Sequence, residues 1–197
     1  MARDEAAARA PRQSSPARTL AIFFLALIVI VGLAVLIIWL AIKPKKLVYT
    51  VEKGTIHGFN LTHAQLNATF DFAIRAHNPN TKVAVYYDKV EAFVSYDDEK
   101  VGFGSLSPFF QPRRNVTHLE LRLAAQNVTL YENAERDLRL EKSAGEMELD
   151  LHLKARIRFK VGKWKSRHYH MKILCSPAMA RFSSSKPFQA TRCDVDV

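Results

Sequence analysis

The apolar pattern changes character once along this chain of 197 residues. From Leu20 to Ile42 it is unbroken, LAIFFLALIVIVGLAVLIIWLAI, with no charge, no proline and Gly32 as its single glycine. As a helix these 23 residues span about 34 Å, enough to cross a hydrocarbon core of about 30 Å. Pro44 predicts the end of the helix, Lys43, Lys45 and Lys46 reach toward headgroups, and Trp39 falls near the interface. A cleaved signal peptide has a shorter apolar region and ends in small residues, so the expectation is a retained anchor. No small residues stand four positions from Gly32, so the segment predicts no close helix pair.

Beyond the lysines the period drops to two. Strands are predicted at Leu47–Val51, at Leu66–Ala76, at Val83–Tyr87 and Lys89–Tyr96, at Val101–Leu106 and at Val116–Leu123. The clearest is Leu66, Ala68, Phe70, Phe72, Ile74 and Ala76 on one face, ended by Asn78-Pro79-Asn80. Asp97-Asp98-Glu99-Lys100 reads as a polar turn. A second regular strand runs from Leu149 to Val161, with Gly162-Lys163 turning the chain into Trp164–Cys175. Between them, Thr129 to Glu132 fits a capping box, and Leu130, Tyr131, Ala134 and Leu138 predict a short amphipathic helix before Gly145. The fold expected is mainly β: one N-terminal transmembrane helix, then an antiparallel β-sandwich with one short helix. The boundaries are a tail at 1–19, the helix at 20–42, a basic stem at 43–46 and the sandwich at 47–197.

Charge refines this picture. The net charge is +10, and residues 1–46 carry half of it, seven cations against Asp4 and Glu5. The basicity is thus partly membrane-flanking, which with the lack of any recognition motif argues against nucleic acid as a partner. Arginines precede the helix and lysines follow it, so charge bias alone leaves the orientation open. The tail mixes Ala, Arg, Ser and Pro without an apolar face and is expected to be disordered in the cytosol.

Four sequons settle the expected side: Asn60, Asn67, Asn115 and Asn127 each stand two residues before Thr. Fewer than about one is expected by chance at this composition. Sugars there would put the sandwich outside the cytosol; the alternative is that Asn and Thr merely share a strand face. Cys175 and Cys193 are the only cysteines. In an exocytoplasmic domain they read as one disulfide, the alternative being two buried thiols.

Little here carries chemistry. Lys154, Arg156, Arg158 and Lys160 alternate outward along one strand, a row that suits a linear polyanion, either acidic cell-wall polysaccharide or lipid; a solvated face that discourages edge pairing is the other reading. His168 and His170 share a face but lack a third ligand, so no metal or cofactor is expected. No nucleophile and base are assembled by any motif, and an enzyme is not expected. Phe109, Phe110 and Trp164 are the aromatic residues that would line an apolar lipid groove if one opened.

The order of these features carries a resemblance. The basic tail and anchor, Asn78-Pro79-Asn80, Tyr86-Tyr87-Asp88, the Val161-Gly162-Lys163 hairpin and the final Cys193-Asp194-Val195-Asp196-Val197 together resemble the plant harpin-induced-like family. That family is related to the non-race-specific disease resistance protein and carries the late embryogenesis abundant group 2 domain. The resemblance implies a fibronectin-like sandwich on a single-pass plasma-membrane anchor, often at plasmodesmata, with a cytosolic N-terminus and a part in defence and stress responses. It implies an adaptor or wall-membrane contact role, with other membrane or defence-signalling proteins as further partners, and supplies no catalytic residues.

Overall fold

The computed structural model describes residues 16–42, 45–182 and 188–197, and side chains outside 38–44 and 132–133. Most of the tail, Lys43, Pro44 and the Trp39 side chain therefore lie outside the described residues. The chain divides into two units, one ending at Lys43 and one beginning at Pro44.

The first unit contains α1, Pro16–Ile42. It begins four residues earlier than the apolar run, because proline is preorganised for the first helical turn, where its missing N–H is not needed. Its Pro16–Ile37 portion is long and apolar enough to cross a membrane, and none of it is buried in protein.

Among its described residues the second unit is built from eleven strands. In chain order they are β1 (Val48–Thr62), β2 (Gln65–Asn78), β3 (Val83–Tyr96), β4 (Glu99–Leu106), β5 (Phe109–Gln111) and β6 (Asn115–Thr129). After α2 (Glu132–Ala144) come β7 (Glu146–Val161), β8 (Trp164–Lys165), β9 (Tyr169–Arg181), β10 (Thr191–Arg192) and β11 (Asp194–Asp196). The hydrogen-bonded order is β10-β1-β2-β6-β4-β3-β7-β9-β11, with β5 on β3 and β8 on β7, and β1 also meets β9.

The sheet therefore closes on itself, but at two thin seams. β4 pairs with β6 only at Phe103 and Ala124, and β1 pairs with β9 only at Thr55 and Arg181. Each seam has a glycine where backbones crowd together. A Cβ on Gly104 would lie 2.2 Å from the Arg122 carbonyl oxygen, and one on Gly54 would lie 2.2 Å from that of Met179. Only glycine permits such an approach. Between the seams lie two layers, β1-β2-β6 and β4-β3-β7-β9, which is the expected sandwich.

Their inner faces are filled by large side chains, among them Tyr49, Phe70, Phe72, Leu121, Leu123, Leu151 and Leu153, all nearly inaccessible. β2 and most of β7 alternate as their apolar spacing predicts. The predicted break between Tyr87 and Lys89 is instead a register shift inside a single β3, which leaves Asp88 at a bulge. β1 runs on to Thr62 through two such irregularities.

The short helix forms and packs through Ala134 and Leu138. Its capping box does not. Thr129 still belongs to β6, the Leu130 amide donates to the Ala64 carbonyl at 2.8 Å, and Tyr131 becomes the N-cap without a side-chain bond. Extended pairing thus holds the chain past the point where local pattern starts the helix. At the other end Gly145 adopts the left-handed conformation, and its amide bonds the Glu141 and Lys142 carbonyls.

Candidate functional site

The outward faces of β3, β7 and β9 carry most of the residues singled out for polyanion contact. Lys154 and Arg156 are exposed on β7, while Ala155 and Ile157 between and beyond them are buried. The register places Glu91 of β3 and Lys172 of β9 on either side of Lys154, and Lys89 and His170 on either side of Arg156. The row is thus a patch, wider than it is long.

Arg158 is committed elsewhere. Its Nε donates to Asp88 Oδ2 at 2.8 Å and its Nη2 to Asp88 Oδ1, while His168 Nε2 lies 3.4 Å from the same carboxylate. The bulge at Asp88 makes this pairing possible. These hydrogen bonds, reinforced by the nearby cations, hold the Asp88 carboxyl below the usual aspartate range, against the opposing effect of burial. A depressed folded value gives stability that is present above the unfolded pKa and is lost as pH falls through the folded one. Asp88→Asn is accordingly expected to flatten the loss of stability below about pH 4, the usual aspartate range, as measured by urea unfolding at stepped pH.

Lys160 is partly engaged as well. Its Nζ lies 5.7 Å from the Phe110 ring centre and 5.9 Å from that of Tyr86, and Lys165 Nζ lies 4.8 Å from Tyr86. Tyr86 and Phe110 pack together at 4.5 Å, making an aromatic floor beneath the two lysines. Trp164, 63% exposed, stands beside them in sequence, whereas Phe109 stacks on Tyr87 at 4.1 Å and packs against the core.

Of the four row residues, Lys154 and Arg156 stand in no ion pair among the described residues, and neither does Lys172. Lys172 was not legible in the row because it reaches the patch from β9. Its signal is its alternation with buried Met171 and Ile173, which becomes informative only once the β7–β9 register is known.

The family motif has two structural duties. Asn78 is fully buried. Its Nδ2 donates to the Val83 and Pro112 carbonyls at 2.9 and 3.0 Å, and its Oδ1 accepts from the Asn80 backbone and side chain. Asn80 exchanges two hydrogen bonds with the Lys45 backbone, so the turn around Pro79 fastens the start of the domain. Tyr86 faces outward. Tyr87 faces inward, sharing a hydroxyl hydrogen bond with Tyr49 and donating to Gln111 Oε1 at 3.0 Å. Burial pushes both phenols up, so they remain protonated.

Cys175 and Cys193 are joined as a buried disulfide. Asn60 and Asn115 each accept a hydrogen bond from the threonine of their own sequon, at 2.8 and 3.2 Å. Asn67 and Asn127 face each other, the first donating through Nδ2 at 3.2 Å and accepting from the Asn127 amide at 2.9 Å. All four lie on β1, β2 and β6. His168 turns to Asp88 and His170 stands opposite Arg156 in the β7–β9 register, and among the described residues no group of three His, Cys, Asp or Glu is placed to hold a metal.

A disulfide-fastened β-sandwich following a long apolar helix, with the Asn78–Asn80 clamp at its start, defines a sandwich protein of the late embryogenesis abundant class. Residues 73–175 match the family described as Late embryogenesis abundant protein, LEA_2. The chain belongs to that family, in its NDR1/HIN1-like group, as the motifs suggested. NDR1/HIN1-like protein 3 of Arabidopsis thaliana is 34% identical over 85% of this chain and 75% of its own. NDR1/HIN1-like protein 10 of the same plant is 29% identical over 87% and 80% respectively. An uncharacterized Arabidopsis thaliana protein is 33% identical over 92% of this chain and 84% of its own.

Proposed function

We propose that this protein is a non-enzymatic, single-pass plasma-membrane protein of plant defence or stress response that links the membrane to acidic cell-wall polysaccharide. In this reading α1 is the anchor, the N-terminus is cytosolic, and the sandwich lies outside the cell, including at plasmodesmata. The observation that carries it is an asymmetry. Every sequon stands on the β1-β2-β6 layer, while Lys154, Arg156 and Lys172 stand on the sequon-free layer opposite. Sugars on the first would leave the basic layer bare for a polyanion. Other membrane or signalling proteins would be recruited by the same anchored domain.

Topology is tested by a glycosidase mobility shift on full-length protein from plant membranes, with Asn→Gln changes at Asn60, Asn67, Asn115 and Asn127. A downward shift that these changes reproduce is expected. An unshifted protein whose sandwich stays intact when protease is added to whole protoplasts but is degraded once they are permeabilised would place the sandwich in the cytosol and end the wall-contact reading.

Phe110 and Trp164, exposed beside Lys160 and Lys165, favour a second reading, lipid binding. In that case mass spectrometry of the purified protein after detergent exchange would find co-purifying lipid that Trp164→Ala and Phe110→Ala release.

A further inference from the structure

Three cations on the bare layer crowd together without an ion pair among the described residues, Lys154 alone resting over an aromatic ring, that of Phe93 at 5.5 Å. Lys154 and Lys172 are direct cross-strand partners on the outward face, and Arg156 with His170 forms the next outward pair along the same two strands. Adjacent strands lie about 4.8 Å apart, and outward positions repeat about every 6.8 Å, so the positive ends crowd into a small rectangle. Like charges placed directly opposite destabilise a sheet.

The nearby carboxylates relieve this only in part. Glu91, on the far side of Lys154, is taken by Lys89 at 2.5 Å. Asp196 is the register partner of Lys172 on β11, yet forms no ion pair with it. An external anion would supply what the fold withholds.

The surface around the pair is concave on both sides. A shallow groove of about 390 Å³ is lined by Lys89, Lys154, Arg156, His170 and Lys172, with Glu91, paired to Lys89, also on its wall. A second, of about 830 Å³, shares Lys154 and Lys172 and runs on to Lys46 and Arg192, with Asp194 and Asp196 also on its wall. The two lysines are the ridge between the grooves. Cations therefore follow one another from Arg156 across the pair to Lys46 and Arg192, a course that crosses the strands.

We infer that Lys154 and Lys172 form the central anion-binding pair of this protein, and that an extended carboxylate-bearing polysaccharide lies across β7 and β9 there, contacting Arg156 on one side. The inference rests on the wall-contact reading and names its site. An extended polymer fits better than a compact anion, because the cations line open grooves in series and converge on no enclosed point. The row along β7 is not the track, since Arg158 is held by Asp88 and breaks it; Lys154 and Lys160 each also lie over an aromatic ring, at 5.5 Å from Phe93 and 5.7 Å from Phe110, so that contact does not separate them.

The test uses full-length protein in detergent and polygalacturonate as the probe, with affinity measured across a salt series. Lys154→Glu and Lys172→Glu are each expected to weaken binding roughly tenfold at low salt and to flatten its salt dependence. Lys160→Glu with Lys165→Glu should change it less than about threefold, the value for contacts already screened at a rim. Lys172→Glu has a further signature. It sets a carboxylate opposite Lys154 on one side and opposite Asp196 on the other, so the two effects oppose and its melting temperature should stay close to that of the unchanged protein while binding falls. A fall in binding that merely tracks a fall in melting temperature would overturn the inference. So would full binding by Lys154→Glu and Lys172→Glu together with loss in Lys160→Glu and Lys165→Glu, an outcome that keeps the wall-contact reading. Failure of the unchanged protein to bind polygalacturonate at any salt removes that reading itself.

Discussion

Replacing Cys175 and Cys193 with alanine is expected to cost about 3 kcal/mol of stability, the loop-entropy value for a bridge of this span. The two cysteines are 18 residues apart in sequence. For a domain of this size that loss corresponds to a melting temperature lower by roughly 6 to 12 °C. The position of the bridge makes the upper end the better expectation. β1 and β9 pair directly only at Thr55 and Arg181 among the described residues, and residues 191–196 supply partners to both strands further along the seam. Thr191 and Arg192 pair with Val51 and Thr50, the Cys193 amide donates to the Tyr49 carbonyl at 3.0 Å, and residues 194–196 pair with Leu174, Ile173 and Lys172. The disulfide pins the middle of this strap to β9, so its loss frees ladders on both sides. Urea unfolding of the double variant, and of the reduced unchanged protein, should give the same midpoint. A difference from the oxidised protein below about 1 kcal/mol, well short of the loop-entropy value, would mean that backbone pairing alone holds the strap.

Asn78→Ala is expected to lower stability by a comparable amount. The side chain is fully buried and satisfies two carbonyls and two donors at once. Each buried group left without a partner costs about 1 to 3 kcal/mol, and water reaching some of them brings the total to about 3 kcal/mol. Asn78→Asp is the sharper variant. It keeps the shape and the two bonds accepted from Asn80, but turns an acceptor toward the Val83 and Pro112 carbonyls. Guanidinium unfolding should show it at least as damaged as Asn78→Ala; an aspartate variant as stable as the unchanged protein would show that the donor half of the network contributes nothing. Limited proteolysis near Lys45 should rise in both, because Asn80 loses its orientation and with it the grip on the Lys45 backbone.

Much of the sandwich was legible because one face of each strand is buried. Phe70, Phe72 and Ile74 on β2, and Leu151, Leu153 and Ala155 on β7, show their period directly. What was hidden lies where local pattern and tertiary pairing disagree. The far half of β1 carries two irregularities that scramble its alternation, and the Asp88 bulge looks like a gap between strands. Thr129 has the letters of a capping box but is held in β6 by its pairing with Gln65.

The candidate site divides in the same way. A row along one strand is written in the sequence, so Lys154 and Arg156 were visible. Its meaning depends on neighbours across the sheet, which no stretch of sequence displays: Asp88 removes Arg158 from the row, and β9 adds Lys172 to it. The turn Gly162-Lys163 does not give the register directly, since residues 166–168 intervene before β9 resumes the pairing.

The strap of residues 191–196 also imposes an order of assembly. It supplies partners to β1, the first strand to emerge from the ribosome, and to β9, one of the last. Until it is synthesised the two layers can collapse together but the seam stands open, with the Tyr49 carbonyl unpaired and Cys175 a lone thiol. Closure must therefore wait for nearly the whole domain to be delivered. Such long-range pairing is intrinsically slow, and under the proposed topology it leaves an interval in which an oxidising compartment would act on an almost finished sandwich.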